Sequence, residues 1–165
     1  MTAKNNRPGK TSAALKIVIT RVFDALRELV WQAWTKPEHI KEWSAPRGFA
    51  IPVSEGDLRP GGAWRACMLA PDGARLLLGG IYREIIEHEL LVFSHAWMDD
   101  DGKPGHETLV AVRFSNHGHK TKITLEQSNF ASAGSRDGHK GGWTECLERL
   151  AGHLANLQAR VKNKP

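Results

Sequence analysis

The sequence predicts an α+β domain in which a seven-stranded antiparallel sheet is covered on one face by one long C-terminal helix, with two short helices between strands one and two. Three observations predict it. The apolar period switches from helical to two-residue near Phe49 and back to helical near Gly138. Turn residues cut the stretch between them into six segments. The last segment carries a single apolar stripe long enough to cover one face of a sheet.

Ala14 to Thr20 is apolar and β-branched and reads as strand one. Asp24 is placed to cap a helix, because its carboxylate can accept from the free N–H groups of a first turn. Leu26, Leu29, Val30, Ala33 and Trp34 then fall on one helical face. Pro37 suits the first position of a second short helix, with Ile40 and Trp43 on its inner side. Six strands follow at about 49–53, 62–69, 75–86, 90–98, 107–115 and 120–128. Short connections between them imply an antiparallel meander. Val110, Val112 and Phe114 share a face; so do Ile123, Leu125 and Gln127. The closing helix is expected from about Gly138 to Val161. Its stripe is Trp143, Leu147, Leu150, Leu154, Leu157 and Val161.

Composition sets the outer bounds. A chain of 165 residues fits one domain, expected over residues 14–161 behind a disordered tail at 1–13. No run approaches the roughly 18 apolar residues of a membrane span, and the basic N-terminus lacks the apolar core of a secretory signal. Two cysteines, Cys67 and Cys146, do not make a disulfide framework, so a cytoplasmic location is expected. The net charge of +5 sits in the two ends: Lys4, Arg7, Lys10, Arg160, Lys162 and Lys164 are all basic, with no acid beside them. The body between is close to neutral. No nucleic-acid partner is therefore expected, because nucleic-acid domains concentrate charge on a folded face.

Several runs resemble proteins similar to the activator of heat-shock protein 90 ATPase, a family of the START-like, helix-grip superfamily. They are Arg21-Val22-Phe23-Asp24-Ala25, Glu28 to Thr35, Pro37 to Trp43, Asp57 to Gly62, Gly80 to Ile85, Leu91 to His95 and Gly142-Trp143. The resemblance covers about residues 14–155. It departs at Leu26, where the family usually has proline. It implies the helix-grip fold, a curved seven-stranded sheet wrapped around the C-terminal helix with a cavity between them, where superfamily members bind lipids, hormones, polyketides and other apolar ligands. Some members are cyclases, and the founding members of this family regulate a chaperone.

No catalytic constellation is evident. Ser44 and Ser94 lie in no nucleophile-elbow motif. The glycine pairs do not form a phosphate cradle, and no cofactor is called for. His117 and His119 sit on a turn without a third ligand, and Asp99, Asp100 and Asp101 form a polar loop, so no metal is expected either. The expected function is therefore non-catalytic binding of a small apolar or amphipathic molecule, by a monomer or homodimer. The expected walls are Trp64, Tyr82, Phe93, Val110, Val112, Trp143 and Leu147. His95 and Trp97 join them if the Leu91-Phe93-His95-Trp97 side of their strand faces inward; the sequence leaves that open. A cavity of roughly 300–1,000 Å³ is expected. It should lie at the N-terminal end of the last helix, where Gly138, Gly141 and Gly142 fill little space. The alternatives are a cyclase- or hydrolase-type enzyme using His95, Tyr82 or Arg65, and a protein-interaction module such as a chaperone regulator.

Overall fold

The computed structural model describes residues 15–162. The expected tail at 1–13 and the start of strand one at Ala14 lie outside the described residues. The order is β1 (Ile17–Phe23), α1 (Arg27–Thr35), α2 (Pro37–Trp43), β2 (Ala50–Gly56), β3 (Ala63–Leu69), β4 (Arg75–Ile86), β5 (Leu90–Trp97), β6 (Thr108–His117), β7 (Lys120–Ser128) and α3 (Ala133–Lys162). All seven strands form one antiparallel sheet in the order β1-β7-β6-β5-β4-β3-β2.

Several boundaries differ from those the sequence suggests, and three of them have a clear structural reason. β1 runs to Phe23 because β7 offers partners along its whole length, from Ile17 opposite Gln127 to Phe23 opposite Thr121. Asp24 therefore does not cap α1. Leu26 occupies the cap position in extended conformation with no side-chain bond. The entry is tied instead through backbone carbonyls: Thr121 Oγ1 donates to Ala25 O at 2.7 Å and Gln158 Nε2 to Asp24 O at 3.1 Å. The last helix begins five residues earlier than Gly138. Ser132 Oγ accepts the backbone N–H of Ser135 at 3.1 Å, a serine cap that starts the helix ahead of its glycines.

The main core lies where α3 crosses the β1-β7-β6 side of the sheet. Leu147, Leu150 and Leu154 pack with Phe23, Val110, Val112, Phe114, Ile123 and Leu125, and all are buried. Gln127 is fully buried in this apolar layer, yet it is satisfied. Trp143 Nε1 donates to its Oε1 at 2.7 Å, and its Nε2 donates to Thr108 Oγ1 at 2.8 Å. Thr108 passes the chain on to His95 O at 3.2 Å. This line of donors fixes the start of α3 to the sheet, since breaking any link would leave a buried polar group unpaired.

The loop after α2 is held from the other side. Arg149 of α3 donates to the carbonyls of Ala45, Pro46, Phe49 and Glu42 at 2.6–3.3 Å. Arg47 of the loop meets Glu148 and Glu145 of α3. The two short helices and their loop are thus pinned over the sheet by one helix face.

Candidate functional site

Over the β2–β5 half of the sheet, α3 and the sheet separate, and a cavity of about 490 Å³ lies between them. Its floor is built by alternation. Ala66 and Met68 come from β3, Leu76, Leu78 and Tyr82 from β4, and Leu91, Phe93, His95 and Trp97 from β5. Its roof is the first half of α3, with Ser135, Gly138, His139, Gly142, Trp143 and Cys146. Trp34, Pro37, Ile40, Trp43, Pro46 and Phe49 close the third side. The glycines at the start of α3 matter because a Cβ on Gly138 would meet nothing within 4 Å. Helix backbone there adds almost no volume.

The inward face of β5 is the Leu91-Phe93-His95-Trp97 set. Ser94 on the opposite face is tied to β4, its Oγ accepting from Ile81 N at 2.8 Å. Of the residues expected in the wall, Trp64, Tyr82, Phe93, His95, Trp97 and Trp143 line the cavity. Val110, Val112 and Leu147 do not. They are buried in the main core, where the side chains of α3, α1 and the sheet fill the space. Arg65 is also outside the lining; it is an exposed residue paired with Glu55 at 2.8 Å. The sequence reading missed Trp34, Trp43, Phe49 and His139 as wall residues. His139 was within reach, since continuing the apolar stripe of α3 back one turn from Trp143 arrives at it.

Aromatic rings dominate the walls. Trp34 stacks on Trp143 with centroids 5.8 Å apart, and Trp43 meets Trp34 edge-on at 4.6 Å. The Trp34 indole N–H is buried without a partner among the described residues. Trp64 lies across β4, its N–H donating to Ser94 O at 3.0 Å. That path requires Gly80: a Cβ there would stand 1.9 Å from Ser94 O and 2.8 Å from Trp64 Nε1.

His95 sits among rings: Trp64 at 5.8 Å, Trp97 at 5.5 Å and His139 at 5.7 Å. It is 8% exposed. Burial, with a smaller contribution from His139, pushes its imidazole down from 6.5 to about 4, so it is neutral at pH 7. No side chain among the described residues bonds either ring nitrogen. His139 differs. Its Nδ1 donates to Ser135 O at 2.8 Å and its Nε2 accepts from the Trp97 indole at 3.3 Å, which occupies both nitrogens. Burial raises the Tyr82 hydroxyl, and it pushes the Cys146 thiol up to about 12, so both stay protonated. Among the described residues no group of three or more metal-ligating side chains lies together. No described helix is long and apolar enough to cross a membrane.

A family model for "Activator of Hsp90 ATPase homolog 1-like protein" matches residues 24–155. The chain belongs to this family. A crystal structure of a Chromobacterium violaceum protein is similar at 27% identity and TM-score 0.77, covering 86% of this chain and 97% of that one. The AHSA1 protein of Silicibacter pomeroyi is similar at 24% identity and TM-score 0.77, over 85% and 97% of the two chains. An AHSA1-like protein of Aeromonas hydrophila is 25% identical, with TM-score 0.71 over 87% and 94%. No curated protein matches the chain. Membership of the AHSA1-like family places the chain in the START-like superfamily, and its sheet and long helix are the helix-grip arrangement. The family match begins at Asp24 and ends at Ala155, so it contains every residue that lines the cavity.

Proposed function

We propose that this AHSA1-like chain binds a small apolar or amphipathic molecule in the space between β2–β5 and α3, without transforming it. The cavity carries the reading: about 490 Å³, walled mainly by aromatic and aliphatic side chains with a few polar groups, is the form of a small-molecule site. Binding is favoured over turnover because two of the ionisable groups in the lining are held inert. His139 has both nitrogens engaged, and the Cys146 thiol stays protonated. An acid–base enzyme needs two titratable groups converging on one reacting atom.

Native mass spectrometry of the purified chain, with a thermal-shift screen of apolar compounds, tests the proposal. The expected result is a retained small molecule or a ligand-dependent rise in Tm. A ligand at one hundred times its Kd stabilises the fold by about 2.7 kcal/mol. A rise that Trp143→Ala leaves unchanged would place binding elsewhere. No bound mass and no shift with any compound would leave the protein-interaction reading, to which the chaperone-related family name points.

A further inference from the structure

The cavity's charge pattern narrows what it can hold. Among the described residues that line it there is no lysine and no arginine. The one carboxylate is Glu55, exposed and already paired with Arg65. An anionic head taken inside would therefore lose its water and find no counter-ion, at a large cost. A cation inside would find aromatic faces and no free buried carboxylate.

The walls favour a flat partner. Trp64, Phe93 and Trp97 come from the sheet, and Trp34, Trp43 and Trp143 from the helices. Rings of this kind give a planar π system offset-stacked and edge-to-face contacts that an alkyl chain cannot match. Two polar features of the lining, the Trp34 indole N–H and the His95 imidazole, lack a side-chain partner among the described residues. The His95 imidazole offers one donor and one acceptor, and no protein side chain uses either. His139, Trp97 and Trp64 surround it, and none of them carries a charge that a protonated His95 would need.

We infer that the ligand is an uncharged planar aromatic molecule carrying a hydroxyl or carbonyl that hydrogen-bonds to His95. This rests on the cavity being a binding site, as proposed above. His95 is the residue that sets specificity: a hydroxyl can both donate to and accept from a neutral imidazole, whereas a purely apolar guest leaves it unpaired. The neutral state holds because the ring is enclosed by other rings, with burial disfavouring the charged form.

Four naphthalenes of one skeleton test the inference by titration calorimetry at pH 7.4: naphthalene, 2-naphthol, 2-naphthoate and 2-naphthylmethylammonium. Decanoate serves as a flexible anion. The expected order puts 2-naphthol first, about tenfold or more ahead of either charged analogue, since an unpaired buried charge costs more than a polar bond gains. His95→Phe should abolish the preference of 2-naphthol over naphthalene while leaving naphthalene binding intact, and His95→Gln should restore part of it. Equal or tighter binding of 2-naphthoate, decanoate or the ammonium compound would overturn the neutral-aromatic inference and leave the cavity reading standing. Equal loss of naphthalene and 2-naphthol in His95→Phe would reduce His95 to a packing residue. Failure of all five probes would count against the cavity reading itself. If His95→Phe does not fold, the ranking on the unaltered chain decides.

Discussion

Acid should destabilise this fold through His95, and the size of the effect follows from its surroundings. Above about pH 6.5 the imidazole is neutral in both folded and unfolded chains. Between 6.5 and about 4 the unfolded chain binds a proton that the folded chain refuses, so stability falls as pH falls. Below about pH 4 both forms are protonated and the loss is complete. At about 1.4 kcal/mol per pH unit, the interval from 6.5 to about 4 corresponds to about 3 kcal/mol. His153, also lowered mainly by burial, adds to the same trend from the α2–α3 contact, where its Nε2 lies 3.0 Å from His39 Nδ1. The experiment isolates His95 by comparison. Urea unfolding of the unaltered chain and of His95→Phe is followed by tryptophan fluorescence at intervals from pH 7.5 to 4. The unaltered chain should lose about 3 kcal/mol more than the variant across that range. Parallel curves would refute the argument, because they would mean that the folded protein accepts the proton as readily as the unfolded chain.

Leu150→Ala and Leu154→Ala remove fully or almost fully buried side chains at the α3–sheet contact, and each should cost about 2–5 kcal/mol in a denaturant melt. Neutral changes at both would remove the helix-grip packing. Gly80→Ala should cost at least the upper end of the about 1–3 kcal/mol typical of overpacking. It should also shift the tryptophan emission, since Trp64 cannot stay across β4 beside a new Cβ. Gln127→Leu strands the Trp143 indole and takes away the donor to Thr108 Oγ1, and should cost about 1–3 kcal/mol by the same melt. Arg149→Met should speed amide exchange in residues 44–49 by releasing the carbonyls it holds; unchanged exchange would mean the loop is fixed by its apolar contacts alone.

The order and type of every element were legible in the sequence, because the two-residue and helical periods are local properties of the chain. The strands at 75–86 and 120–128 have the observed limits, since turn residues bound them on both sides. Where a boundary depended on a distant partner, the local signal misled. Asp24 looks like a helix cap, but pairing with β7 extends β1 through Phe23 and carries the chain past it. Ser132 was the local signal for the start of α3, masked by glycines that disfavour helix without forbidding it.

The sequence by itself determined the sheet, the gripping helix, the alternation of β6 and β7 and the aromatic character of the interior. Only the tertiary structure decided which inward residues face space and which face side chains. Alternation puts Val110, Val112 and Phe114 on one face, yet it is silent on where along the sheet the helix makes contact. That contact is settled by the fit of a straight helix to a twisted surface, together with the Trp143–Gln127 bond and the Arg149 clasp, which join residues distant in sequence. The same holds for β5, where both alternating sets are largely apolar. Only the bond of Ser94 to Ile81 and the passage of Trp64 over Gly80 show that His95 turns toward the cavity. A cavity is a mismatch between two surfaces, and a mismatch has no period for a sequence to display.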